Sequence, residues 1–310
     1  MRYRTFGSTG FEVSTIGMGC NRLGDPGVDP AQWPPIVERA LDLGVNFFDT
    51  SISYNQGRSE EVLGDVTSRR NVRVYLSTKV GVEMMSNDFG SREFSAKTIL
   101  RDVDGQLQRL RRNTIDMYML HSPSVEQLKR DDWLDAFTKL KRAGKVGYWG
   151  ISTHDHASGV EAIRQGAQVL QIEYDLLDPT AEHELLPEAQ KRNVGVMVRT
   201  PLARGLLTGK FPPGQAIPAD QQWRRPRGDQ LQLRLARVEQ LRFLERPGQT
   251  LAQAALRFVL ANPGVHCAVP GARTIEQLEA NVPASDGELT PFELGRIREL
   301  HAQWRDEGRW

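Results

Sequence analysis

Residues 43–49 read Leu43-Gly44-Val45-Asn46-Phe47-Phe48-Asp49: a glycine, a short and nearly continuous apolar run, and an acid at its end. Gly44 stands where a finishing helix wants a left-handed C-cap. The run behind it lacks the strict apolar–polar alternation of a half-exposed strand. Both of its faces must therefore be covered, as in a parallel sheet flanked by helices. The construction recurs along the chain. Strands are predicted around Ile16–Gly19, Val45–Asp49, Val74–Lys79, Ile115–Leu120, Val146–Ile151, Val169–Glu173, Val194–Val198 and Val265–Val269.

Helix signals fill the intervals. Asp29-Pro30-Ala31-Gln32 offers a cap, a proline at the first helical position and a glutamine three residues after the cap. Ser124 with Gln127 and Thr250 with Gln253 have capping-box spacing, and Gly144 marks another helix end. Strand–helix alternation repeated eight times points to an α/β fold with a parallel sheet, either a closed (β/α)8 TIM barrel or a doubly wound sheet. No Gly-x-Gly-x-x-Gly follows the first strand, which weighs against a Rossmann unit. Tyr3–Phe6 and Phe11–Ile16 around Gly7–Gly10 read as an N-terminal β-hairpin, and Thr290-Pro291-Phe292-Glu293 opens an extra C-terminal helix. Gly205–Gln249, rich in Pro, Arg and Gln, reads as a long loop covering a site. Residues 1–310 are expected to form a single barrel domain.

Composition narrows the partners. Forty basic residues against thirty-nine acidic ones give a formal charge of +1, which asks for neither nucleic acid nor membrane. Two cysteines, Cys20 and Cys267, lie outside any Cys-x-x-Cys pairing and suit a reducing compartment. With no apolar leader or membrane span in the sequence, a cytoplasmic protein is expected.

Barrel chemistry gathers at the C-terminal strand ends. There the sequence places Asp49, Lys79, His121, Ser152, Gln171 and Arg199 on six consecutive strands. Singly each has an ordinary reading: Asp49 as a cap, Lys79 as a solvated charge, His121 as a satisfied strand-end histidine, Tyr54 as a loop aromatic. Their recurrence in series calls for a common cause. The blocks Gly44–Ser51 leading to Tyr54, Ser77-Thr78-Lys79, Leu120-His121-Ser122-Pro123, Pro201–Lys210 and Val269–Arg273 resemble the aldo-keto reductase family, and the resemblance covers essentially the whole chain.

That resemblance implies an NADP(H)-dependent oxidoreductase that moves a hydride to a carbonyl carbon. Tyr54 would be the general acid. A phenol holds its proton too tightly to be an ideal acid at neutral pH, and a neighbouring ammonium favours the phenolate. The resemblance gives Lys79 that place, Asp49 the balancing charge, and His121 the hydrogen bond that orients the substrate oxygen. No metal is needed. For the nicotinamide it implies Ser152, Thr153 (where asparagine is commonest) and Gln171. Arg199 occupies a position usually held by a stacking aromatic; a guanidinium also stacks, and its charge favours NADPH over NADP⁺. Pairing of Arg199 with Glu173 or Asp175 is the alternative. Leu202, Arg204, Leu206 and Lys210 follow the pyrophosphate loop, and Gly271, Arg273, Gln277 and Asn281 the adenosine end, with Arg273 suited to a 2′-phosphate. Thr274 with Gln277 also has capping-box spacing. The substrate pocket is expected to draw on Asn21 within Cys20–Pro26, Tyr54, the Val82–Phe89 loop, His121, and Trp223 within Trp223–Arg227.

The expected partner is a small-molecule carbonyl compound, taken up by a monomer or a weak homo-oligomer. Three other readings stand beside this one. The reaction runs physiologically as an aldose or alcohol dehydrogenation; or the protein is a nicotinamide-binding regulatory subunit resembling potassium-channel β-subunits, against which the lack of an N-terminal extension weighs; or His121, His154 and His156 hold a metal in a hydrolase.

Overall fold

The computed structural model describes residues 1–82, 92–130, 132–215, 217 and 225–307. A two-stranded antiparallel hairpin comes first, β1 (Tyr3–Thr5) with β2 (Glu12–Ser14). Eight parallel strands follow: β3 (Met18–Gly19), β4 (Phe47–Asp49), β5 (Tyr75–Val80), β6 (Ile115–His121), β7 (Val146–Ser152), β8 (Val169–Glu173), β9 (Gly195–Arg199) and β10 (Cys267–Val269). They pair in chain order, and bridges Ile16–Ala268 and Gly19–Gly271 bring the first edge against the last. The result is a nearly closed barrel, with the eight strands where the apolar runs predict them.

Helices α1 (Trp33–Asp42), α2 (Arg58–Ser68), α3 (Ala96–Leu110), α4 (Val125–Leu128), α5 (Asp132–Arg142), α6 (His156–Arg164), α7 (Leu185–Lys191), α8 (Gly228–Gln240), α9 (Leu251–Ala261) and α10 (Ile275–Asn281) surround the strands, and α11 (Pro291–Asp306) closes the chain. The capping boxes at Ser124/Gln127, Thr250/Gln253 and Thr290/Glu293 form in full. Two expectations need correction. Asp29 caps a 3-10 turn, Pro30–Gln32, and the α-helix starts only at Trp33. Pro34 and Pro35 explain the delay: neither has an N–H to give, so both fit only in a first turn. Gly205–Gln249 is not all loop, because it contains α8, which buries Leu231, Leu235 and Val238 at helical spacing.

Two cores result from the pleat. Outward residues such as Phe48, Leu76, Tyr118, Leu120, Ile151 and Val198 pack beneath the helices. Inward residues Phe47, Met117, Met119, Val169, Met197, Cys267 and Val269 fill the barrel from within, and Phe6 of the hairpin plugs its base. Gly195 permits the plug, since a Cβ there would overlap the Phe6 ring. Among the described residues no helix is long and apolar enough to cross a membrane.

Candidate active site

Side chains two apart on a strand share a face. Phe47 and Asp49 therefore both point inward, as do Ser77 and Lys79, Met119 and His121, Tyr148 and Ser152 (four apart on β7, with Gly150 between them), Val169, Gln171 and Glu173, and Met197 and Arg199. The lower member of each set fills the barrel, and the upper one arrives at its C-terminal mouth. Thr78, between Ser77 and Lys79, faces the other way and donates to the buried Glu60 of α2 at 2.6 Å.

Lys79 is fully buried. Its Nζ donates to both carboxylate oxygens of Asp49 at 2.8 Å, to the Thr50 carbonyl at 2.7 Å, and to the Tyr54 hydroxyl at 3.4 Å. Ser77 adds a 2.6 Å hydrogen bond to Asp49 Oδ1. A buried ammonium is tolerable only with such partners, and here every one of its protons has an acceptor. Tyr54 comes from the turn after β4, where Asn55 and Gln56 both take positive φ. The His121 ring stands edge-on to the Tyr54 ring, with centroids 6.0 Å apart. Burial first, and then the charges of Lys79, Arg199, Arg92 and His154, push the His121 imidazolium well below its usual range, so the ring is neutral at neutral pH. The structure thus brings Asp49, Tyr54, Lys79 and His121 together.

Register sets a second row beside them. His121 pairs with Ser152 across β6–β7, and Ser152 with Gln171 across β7–β8. Ser152 Oγ donates to Gln171 Oε1 at 2.7 Å and accepts from Arg199 Nη1 at 3.2 Å. The alternative partners weighed for Arg199 are occupied elsewhere. Glu173 accepts from Arg204 at 2.9 Å and pairs with His154 at 3.1 Å, while Asp175 accepts from its own loop at Leu177 and Asp178. Although burial alone would raise it, the Glu173 carboxyl is held down at about 2 by His154, Arg204 and Arg199. Thr153 spends its hydroxyl on a local turn with Asp155, donating to its carbonyl and accepting from its N–H, both at 2.9 Å.

The remaining residues lie on the loops after β3, β9 and β10. Thr200, Ala203 and Arg204 take positive φ, as Ser122 does after β6, so strained backbone clusters at this mouth. Leu206 is buried beneath the loop and Leu202 partly so. Lys210 lies over the Phe211 ring at 4.8 Å. Arg225 donates twice to the Arg204 carbonyl, at 2.9 and 2.6 Å. Burial lowers the Arg22 and Arg225 guanidiniums and the charge of Arg273 lowers both further, while Asp25, paired with Arg22 at 3.3 Å, opposes this for Arg22. Gly271 approaches Asn21, whose carbonyl accepts from Asn55 at 3.5 Å. Gln277 caps the Arg273 N–H, completing only half of the capping box with Thr274, and Asn281 is buried at the end of α10. Trp223 and residues 83–89 of the expected pocket lie outside the described residues.

Sequence reasoning missed four participants. Ser51 Oγ lies 3.2 Å from His121 Nδ1, Arg92 donates to the Ser122 carbonyl at 2.7 Å, Ser77 braces Asp49, and Glu173 joins His154 to Arg204. Only Ser77 was open to prediction, by its spacing of two from Lys79. His154 is committed to Glu173 and His156 opens α6, and among the described residues no three or more His, Cys, Asp or Glu are grouped to hold a metal ion.

Proteins of known sequence and structure resemble this chain over nearly its whole length. The holo form of aldo-keto reductase AKR11C1 from Bacillus halodurans matches with a TM-score of 0.80 and 32% identity, covering 97% of this chain and 96% of that one. The L-glyceraldehyde 3-phosphate reductase of Escherichia coli (strain K12) is 31% identical over 309 residues, 92% of this chain and 87% of that protein. A candidate voltage-gated potassium channel subunit beta of Schizosaccharomyces pombe is 30% identical over 327 residues, 96% of this chain and 92% of that protein. The model of the aldo/keto reductase family matches residues 15–302, from the approach to β3 into the last helix, so this chain belongs to that family of oxidoreductases.

Proposed function

We propose that the protein is an NADPH-dependent reductase of a small aldehyde or ketone, with Tyr54 as general acid. The observation that carries this is the Tyr54 hydroxyl 3.4 Å from an ammonium that Asp49 holds from behind, with a neutral imidazole alongside. Tyr54 gives its proton to the carbonyl oxygen. Lys79 stabilises the phenolate left behind, and Asp49 keeps Lys79 charged and in place. His121 donates to the same oxygen and fixes its direction. In reverse, the phenolate takes the proton of an alcohol, so the same residues serve an aldose or alcohol dehydrogenase.

The residues suit the cofactor. Ser152 and Gln171 offer an amide-sized set of donors and acceptors beside His121, with Arg199 next to them. Thr153 would contribute only through its carbonyl, since its hydroxyl and its N–H are both engaged. Leu202, Arg204, Leu206 and Lys210 would line the pyrophosphate, and Gly271, Arg273, Gln277 and Asn281 the adenosine end. Arg273 suits the 2′-phosphate, and its charge also acts on Arg22 and Arg225, which supports NADPH over NADH. When bound, NADPH supplies the hydride.

We further infer that residues 1–310 work as one barrel, as a monomer or weak homo-oligomer in the cytoplasm, where two free, buried cysteines stay reduced. The likeness to the S. pombe channel-subunit candidate supports a second reading, a nicotinamide-binding regulatory subunit. Steady-state assays of the pure protein with NADPH, NADH and a panel of aromatic and aliphatic aldehydes test both. Selective, rapid NADPH oxidation is expected. Feeble turnover without selectivity would favour the regulatory reading.

A further inference from the structure

A neutral imidazole carries one N–H, and which nitrogen holds it decides whether the ring can donate to a substrate oxygen. For His121 the neighbour of Nδ1 is Ser51 Oγ, at 3.2 Å in a buried position. A seryl hydroxyl has one proton to give and two lone pairs to fill. Ser51 Oγ also lies 2.9 Å from Ser53 Oγ and accepts the Ser53 N–H at 3.3 Å. The Ser51 carbonyl accepts from the Tyr54 N–H at 3.0 Å, so one tight turn fixes Ser51 relative to both reacting rings.

Two proton arrangements satisfy this chain. If Ser53 donates to Ser51, the Ser51 proton points at Nδ1, and the imidazole proton must sit on Nε2. If Ser51 donates to Ser53, Nδ1–H points at Ser51 and Nε2 is bare. The backbone donor to Ser51 Oγ fills one lone pair in either case. Only the first arrangement leaves His121 a donor on the side away from Ser51.

We propose that Ser51 is a positioning residue: through its hydroxyl it selects the Nε2–H tautomer of His121, so that the ring presents a donor to the carbonyl oxygen. Both arrangements satisfy the Ser53–Ser51–His121 chain, and the choice of the first rests on the reductase reading, which needs the ring as a donor to the substrate oxygen.

The test is ¹⁵N NMR of the full-length protein labelled at histidine, with the His121 signals assigned by their loss in His121→Asn. Wild type is expected to show the proton on Nε2 and an accepting Nδ1. In Ser51→Ala the Nδ1–H form is expected to appear, with kcat for carbonyl reduction lowered about ten-fold or more and NADPH affinity unchanged. Ser51→Thr, which keeps the hydroxyl, is expected to restore the wild-type tautomer and most of the rate. A wild-type ring protonated on Nδ1 would overturn the proposal. So would a Ser51→Ala protein with an unaltered tautomer, whatever its rate. The wild-type spectrum decides even if a variant fails to fold. If no carbonyl is reduced at all, the reductase reading fails while the tautomer assignment still stands or falls on the spectrum.

Discussion

The Lys79 ammonium lies 2.8 Å from each carboxylate oxygen of Asp49, and neither side chain has appreciable contact with solvent. Two charges so placed cost much to bury and depend on each other for their return. Asp49→Asn leaves the ammonium with neutral acceptors alone, the Thr50 carbonyl, the Tyr54 hydroxyl and the amide oxygen at 49, and Lys79→Met leaves the carboxylate with only Ser77. Each single change is expected to cost about 3–5 kcal/mol of stability. The double variant, which removes both charges, is expected to regain a large part of that loss while remaining inactive. Urea unfolding of all four proteins at neutral pH measures the coupling. Losses that simply add in the double variant would mean the two residues do not stabilise each other.

Tyr54→Phe separates chemistry from architecture. The ring keeps its edge-on contact with His121 and stays 4.9 Å from the Lys79 ammonium; only the hydroxyl goes. Carbonyl reduction is expected to fall by about 10²–10⁴-fold. NADPH affinity and the unfolding midpoint are expected to hold. Single-turnover kinetics with fluorescence titration of NADPH check this, and a variant that keeps most of its rate would remove Tyr54 from the acid role.

Much of this arrangement was legible in the sequence, for a definite physical reason. Barrel strands are covered on both faces, so their apolar runs stand out, and the inward pleat carries a reader from Met119 to His121 or from Ser77 to Lys79 by counting in twos. Contacts set by loops escaped. Nothing local tells that Ser51 meets His121 seventy residues on, or that Glu173 takes Arg204 while Thr153 turns back on Asp155. Helix α8 was hidden because its Leu231, Leu235 and Val238 stripe is diluted by arginine and glutamine on the open face. The late start of α1 was readable in Pro34 and Pro35, yet the stronger-looking cap at Asp29 outweighed it.

Arg199 bears on which redox form of the cofactor the protein prefers. Its guanidinium donates to Ser152 Oγ, within the row proposed for the nicotinamide amide, and none of the ion pairs at Glu173 includes it. A fixed cation beside a ring that is positive only when oxidised disfavours NADP⁺. At a few ångströms and an effective dielectric of ~20 the repulsion is on the order of 1–4 kcal/mol before screening. Arg199→Met is therefore expected to tighten NADP⁺ relative to NADPH by about ten-fold. Titrations of both forms at low and moderate salt check it, and an unchanged ratio would place the charge away from the ring.

Asp175 supplies a pH dependence of stability that is independent of catalysis. It follows β8, is buried, and accepts from the Leu177 and Asp178 N–H groups at 2.7 and 3.2 Å. Burial raises its carboxyl to about 7; the Leu177 hydrogen bond and the charge of Arg234 oppose this, and Asp178 and Glu173 add to it. The folded protein therefore holds a proton there that the unfolded chain has already released above its ordinary value of about 4. Stability from this group is complete below that lower value and is lost as pH rises to about 7, beyond which the loss is constant. Asp175→Asn keeps the acceptor oxygen without the charge. Its stability relative to wild type is expected to climb by a few kcal/mol, an order-of-magnitude figure, between about pH 4 and 7, and to level off above. Unfolding curves for both proteins taken across that window decide the matter. Parallel curves would mean that the folded protein carries Asp175 ionised, with Arg234 and the backbone donors outweighing burial.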